Sequence, residues 1–212
     1  MDNILENIGI SKLSNVPNDA KKLFIDVGTS IDAPNSASWL INHDDANNIA
    51  SKINERFCML KTAIDNVDNP TTANFYLTDE RNTGCSSLLK PTKKLGLDVK
   101  EVYQTPVISL KQILSNLIPN RFSHVTFLKT DAQGKDLDVV KSCQEYLKNV
   151  LVVQMEVFTD GAYENEQQLE DIEQFMFSNN FTTLGGSLYD RIYINKELST
   201  KVEVPKINFI ET

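Results

Sequence analysis

The stretch Val150-Leu151-Val152-Val153-Gln154-Met155-Glu156-Val157 is apolar at nearly every position, on both of the faces a strand would present. A strand on a surface alternates, whereas a continuous apolar run is stable only with both faces covered, as in a parallel sheet flanked by helices. This run commits the chain to a layered α/β arrangement, and its neighbours agree. Residues 23–27 form a short apolar run containing Asp26 and closed by Gly28, and a helical segment over residues 36–41 follows Pro34 and Asn35. Residues 57–60 and 74–78 read as the next strands, then comes a polar loop through residues 81–87. Residues 102–109 are extended, with Pro106 favouring an edge or irregular position. Residues 125–130 form a strand leading through Asp131 and Gly134 into a helix whose Val139, Val140, Cys143 and Leu147 share one face. Leu169, Ile172, Phe175 and Met176 mark the inner face of an acidic helix. Residues 181–184, Gly185-Gly186 and residues 188–194 predict a hairpin, which adds antiparallel strands at the C-terminal end of an otherwise parallel sheet.

With 212 residues and 41% hydrophobic content, the chain can bury one substantial core but not two of ordinary size. The expectation is one domain over 1–212, with an N-terminal helical extension at 1–20, a core at 22–195 and a tail at 196–212. A formal charge of −8, with no basic stripe to offset it locally, argues against nucleic acid as a partner. The start lacks a basic flank and apolar run, and no stretch approaches membrane-spanning length, so a cytoplasmic protein without a membrane partner is expected. Cys58, Cys85 and Cys143 are odd in number and contain no C-x-x-C pair, which predicts reduced thiols. His43 and His124 lack the spacing that would put two imidazoles on one helical face, which argues against a His-based zinc enzyme.

Three places are suited to chemistry. The turn Asp26-Val27-Gly28-Thr29-Ser30 lies where a doubly wound sheet receives its cofactor. A dinucleotide fingerprint would need glycines at Ser30 and Ala33, and a P-loop would need Gly-Lys at Ala33-Pro34, so a cofactor without pyrophosphate fits better. The alternative is a plain tight turn. Asp131, leaving a buried strand into a Gly-containing turn, either caps the next helix or is functional. Glu156 interrupts a buried strand near its carboxyl end, and by itself would be explained by an ion pair with Lys129. Together, Asp131 and Glu156 stand at the ends of adjacent strands beside the Asp26 turn, a convergence expected of a site.

In this order, the Phe-Ile-Asp-Val-Gly turn, Gly84-Cys85-Ser86-Ser87-Leu88, residues 108–114, the segment from Leu128 through Lys129, Thr130, Asp131, Ala132, Gln133 and Gly134 to Leu137, and Gln154-Met155-Glu156-Val157 resemble FkbM-type methyltransferases over about residues 22–195. Gln133 departs from that family's usual Lys-x-Asp-x-Glu-Gly, since a glutamine keeps hydrogen bonding but not charge. The resemblance implies a Rossmann-like class I methyltransferase fold, with a mainly parallel sheet, antiparallel strands at its C-terminal end and helices on both faces. It also implies S-adenosylmethionine as cofactor and O-methylation of a sugar or glycan. The expected cofactor set is Asp26, Gly28, Thr29, Ser30, Asn35, Ser36, Ala63, Asp65, Ser87 and Asp131. Asp131, with Lys129 and Glu156, forms the expected catalytic group, in which Asp131 takes the hydroxyl proton. Asp160, Tyr163 and Arg191 are expected on the substrate rim, or else as ordinary loop residues. Magnesium on the hard oxygens of Asp131, Glu156 and Asp160 is a secondary option, and a homodimer stays open.

Two rivals stand beside this reading: a nucleotide-dependent enzyme on the same fold, disfavoured by the glycine spacings, and a methyltransferase-like binding module without turnover. The second draws on an absence. A strand ending in an acidic residue for the cofactor ribose should follow Ile41, yet residues 43–56 are polar and contain no run suited to a buried strand. Either the strand is lost, or the sequence joins across a missing stretch between Asp45 and Ser51. The second explanation is favoured, because deleting a central strand exposes its neighbours' edges. It predicts consecutive Cα atoms there farther apart than the ~3.8 Å of a trans peptide.

Overall fold

The computed structural model describes residues 2–8, 10, 13, 22–28, 60, 62–79, 83–157 and 160–205. Within them the protein is mixed α/β, built on a five-stranded sheet with helices packed against it. β1 (Phe24–Val27), β5 (Val125–Thr130) and β6 (Val150–Glu156) run parallel, with β5 in the middle. β8 (Asp190–Asn195) pairs antiparallel with β6, and β7 (Phe181–Gly186) pairs antiparallel with β8, giving the order β1-β5-β6-β8-β7. The hairpin read from residues 181–194 is therefore present. Among the described residues β1 is an edge strand. The segment after Ile41, including the join expected between Asp45 and Ser51, lies outside the described residues.

β6 is the strand its composition demands: Val150, Leu151, Val152, Val153 and Met155 are fully buried. β5 is almost as enclosed. Val139, Val140, Cys143 and Leu147 are all buried, but not on one helix as expected: α3 (Asp136–Lys141) carries the first two, Cys143 lies in the turn after it, and Leu147 lies in a separate 3-10 segment (Gln144–Asn149) that opens with Gln144 at φ +49°. α4 (Leu169–Ser178) inserts Ile172 and Met176, with Leu169 and Phe175 partly buried beside them. Each such fully buried side chain stabilises the fold by about 1.5–3 kcal/mol relative to exposure. α2 (Leu110–Leu117) starts at Ser109, whose amide donates to Gln112 Oε1, and it buries Leu110, Ile113, Leu114 and Leu117. α1 (Asp2–Asn7) precedes Ile8, which joins the same core. No helix of the described residues is long and apolar enough to cross a membrane.

The strands expected at residues 74–78 and 102–109 are found as β3 (Thr71–Thr78) and β4 (Val99–Ile108), but not in the main sheet. They pair antiparallel with each other, and β2 (Ala63–Ile64) joins parallel to the end of β4, making a separate three-stranded sheet. The reason is compositional: the first six residues of β4 are exposed, and a Lys, Glu and Gln among them do not suit a strand covered on both faces. Pro106 pairs opposite Thr72, just before β2 begins to cover β4 at Val107, so β4 is still an edge there. Of the strand expected at residues 57–60, residues 57–59 lie outside the described residues and Leu60 is not in a strand.

Candidate functional site

The carboxyl ends of β1, β5 and β6 bring three acidic residues together. Register places Asp26 beside Lys129 and Lys129 beside Gln154, and the Asp131 amide continues the ladder by donating to Val27 O at 2.9 Å. The loop after β5 thus passes directly over Gly28. Gly28 has φ +86°, and a Cβ there would fall 1.7 Å from the Asp131 carbonyl oxygen. The glycine is required by this close backbone approach.

Lys129 lies among these acids with 15% of its side chain exposed. Its Nζ is 3.3 Å from Asp131 Oδ2 and 3.6 Å from Asp26 Oδ1. Burial works against its charge, but the two aspartates outweigh burial and hold the ammonium above its usual range. The ion pair that would have explained Glu156 is therefore not the arrangement found. Glu156 instead meets Gln133, whose Nε2 donates to Glu156 Oε2 and to Asp131 Oδ1, both at 2.7 Å. Glu156 is also in hydrogen-bonding reach of Asp131. Burial first, and then the charges of Asp131, Asp136 and Asp190, push its carboxyl up to about 10. Burial beside these charges favours the protonated form of Glu156.

A second layer fixes this arrangement. Gln133 is 7% exposed, with φ +53°, a conformation uncommon outside glycine. Its carbonyl accepts from Ser87 Oγ at 2.8 Å, and its Oε1 accepts from the Tyr163 hydroxyl at 2.6 Å. That hydroxyl also lies 2.8 Å from Cys85 O, and burial pushes it well above the ordinary phenol range, so it stays a donor. Asp136, 2% exposed, accepts from the Ala132 amide at 3.1 Å and is pushed up to about 6 by burial. The α3 N-terminus is served by Gln167, whose Oε1 takes the Leu137 amide at 2.9 Å; Lys135, not Asp131, is in the cap position. Asp131 is therefore not the helix cap.

The other expected residues fall into distinct places. Asp65, one residue beyond β2, pairs with Lys135 at 2.9 Å and ties the small sheet to the loop before α3, while Ala63 lies in β2 opposite Val107. Ser87 is 1% exposed and holds the 131–134 loop from behind. Tyr163, expected on a rim, is 2% exposed and backs Gln133, because its hydroxyl finds buried carbonyl partners. Arg191 spends its guanidinium on the Ser187 and Asp190 carbonyls of its own hairpin. Asp160 is exposed, and its carbonyl accepts from Lys94 Nζ at 2.7 Å. Thr29, Ser30, Asn35 and Ser36 lie outside the described residues. The expected magnesium set of Asp131, Glu156 and Asp160 does not assemble: among the described residues no three His, Cys, Asp or Glu side chains are placed to share a metal ion.

The sequence reading passed over Gln154, Asp136, Glu166 and Tyr189. Gln154 Nε2 donates to Asp190 Oδ1 at 3.1 Å across the β6–β8 pair, and Glu166 takes the Tyr163 amide at 2.9 Å. Tyr189, 56% exposed in the β7–β8 turn, accepts from the Val157 amide through its carbonyl and so lies at the same end of the sheet as Glu156. An aromatic in a hairpin turn is the signal that would have found it. The described donor set fits S-adenosylmethionine in one respect: its carboxylates complement a ligand carrying a sulfonium and an ammonium.

No curated protein and no solved structure matches the chain. A family model does: that of the methyltransferase FkbM domain, over residues 23–183, which contain the β1 turn, the carboxyl pair and its supports. The chain belongs to the FkbM methyltransferase family.

Proposed function

We propose that the protein is an S-adenosylmethionine-dependent O-methyltransferase acting on a hydroxyl of a sugar or glycan, on a Rossmann-like class I sheet with helices on both faces. The observation that carries this reading is the Asp131–Gln133–Glu156 arrangement at the carboxyl ends of β5 and β6, next to Asp26. Adenosylmethionine, the usual donor of methyltransferases, supplies an electrophilic methyl when bound. The chain's own part is to align a hydroxyl with it and remove the hydroxyl proton. Asp131 is the base in this reading. Its second oxygen faces Lys129, which steadies the carboxylate, and about a third of its side chain is open to an acceptor. Glu156, kept neutral by its surroundings, orients Asp131 instead of competing for the proton. Tyr189 and Leu188, exposed at the same end of the sheet, offer an apolar surface on which a sugar ring can lie.

The test is transfer of labelled methyl from adenosylmethionine to a panel of sugars and glycans, with and without magnesium. Label held through alkaline hydrolysis marks a methyl ether and supports the reading; label lost as methanol marks an ester and removes it. The binding-module reading keeps a place because residues 43–56 offer no acid-ended apolar strand for the cofactor ribose. Calorimetric binding of adenosylmethionine without transfer to any acceptor would favour it.

A further inference from the structure

Gln133 is built to do one thing. Its side-chain nitrogen has two hydrogens and meets two carboxyl oxygens, Asp131 Oδ1 and Glu156 Oε2, each at 2.7 Å. Its side-chain oxygen accepts from Tyr163, a hydroxyl that is a donor here. The orientation follows from chemistry, since the flipped amide would set its oxygen against two carboxyl oxygens. The residue is more than nine-tenths buried, and its left-handed backbone is anchored by Ser87 on its own carbonyl. A strained, buried residue held at both ends is expected where position matters.

Around it the charge is lopsided. Asp26, Asp131, Glu156, Asp136 and Asp190 stand on the acidic side, and Lys129 is bonded to Asp131 and Asp26. Nothing cationic is bonded between Asp131 and Glu156 among the described residues; the Gln133 amide occupies that point. We propose that Gln133 is a positioning residue whose neutral amide joins Asp131 to Glu156 at a point where a third carboxylate would create a site for a divalent cation, so that this carboxyl pair is held without metal. The inference concerns the pair itself, whichever hydroxyl is methylated, and it is tested without turnover.

The experiment is thermal unfolding of the full chain as wild type, Gln133→Glu and Gln133→Met, each in EDTA and in magnesium chloride. Wild type should melt at the same temperature in both. Each variant should melt about 4–8 °C lower in EDTA, the scale expected when a buried carboxyl loses its donor in a domain of this size. Only Gln133→Glu should recover in magnesium, because only it adds the third carboxylate that completes a cation site. A merely structural role would lower both variants and let magnesium rescue neither. The proposal is overturned if wild type gains as much from magnesium as Gln133→Glu, if Gln133→Glu is indifferent to it, or if Gln133→Met melts like wild type. Should the glutamate variant not fold, calorimetric titration of magnesium chloride into wild type decides: absence of binding sustains the proposal, and one-to-one binding overturns it.

Discussion

Replacing Glu156 with glutamine should stabilise the protein, and by an amount that grows with pH. The folded state holds the Glu156 proton up to about 10, whereas an unfolded chain releases it near 4.5. Across that window the native state binds more protons than the unfolded state, so stability is highest below the unfolded value and falls as pH rises. The limit is about 1.4 kcal/mol per pH unit. Because Glu156 shares its site with Asp131, about half of that limit is expected, or roughly 2–3 kcal/mol lost by about pH 8. Glutamine keeps the shape, still accepts from Gln133 and still donates towards Asp131, but it cannot ionise. Asp136, pushed up to about 6, adds the same slope to both proteins and cancels in their difference. The assay is melting temperature of wild type and Glu156→Gln from about pH 5 to pH 9, with the variant ahead by about 5–10 °C near pH 8 and level near pH 5. A difference that does not change with pH, or a variant less stable at pH 8, would show that Glu156 is not held as a neutral acid.

Two further outcomes follow from the same geometry. Gly28→Ala should destabilise the fold by about 2–4 kcal/mol in urea titration, because its Cβ meets the Asp131 carbonyl in a left-handed conformation; a neutral effect would mean that the loop after β5 does not pass over Gly28. Tyr189→Ala should raise KM for a glycan acceptor about tenfold with kcat little changed, the pattern of lost uniform binding, and unchanged kinetics would remove the turn from the acceptor surface.

What could be read from the sequence was set by periodicity. β6, the burial of Val139, Val140, Cys143 and Leu147, and the closing hairpin are all dictated by which residues must be buried, and a one-dimensional pattern records that, although it did not show that the helix carrying the first two stops at Lys141. Asp131 and Glu156 were legible as a pair because parallel neighbours put their carboxyl ends together. The partner of residues 71–78 was not, since strand pairing between distant segments leaves little local trace, and β3 and β4 form their own sheet. Side-chain direction was also hidden. Tyr163 and Ser87 were sorted as ligand-facing polar residues, yet both turn inward, Ser87 to the Gln133 carbonyl and Tyr163 to the Gln133 side chain and the Cys85 carbonyl. Gln133 stood out as a departure from the family's usual acid, but only its geometry shows an amide spanning two carboxyl groups.

The most direct test of the account is methyl transfer by Asp131→Asn beside wild type, with adenosylmethionine binding measured on the same samples. The substitution preserves the shape of the residue and removes its proton-accepting carboxylate, so turnover on the best acceptor should fall by about 10²–10⁴-fold while cofactor affinity stays within a few-fold. Turnover within a few-fold of wild type, in a variant that still binds cofactor, would contradict the assignment of Asp131 as the base.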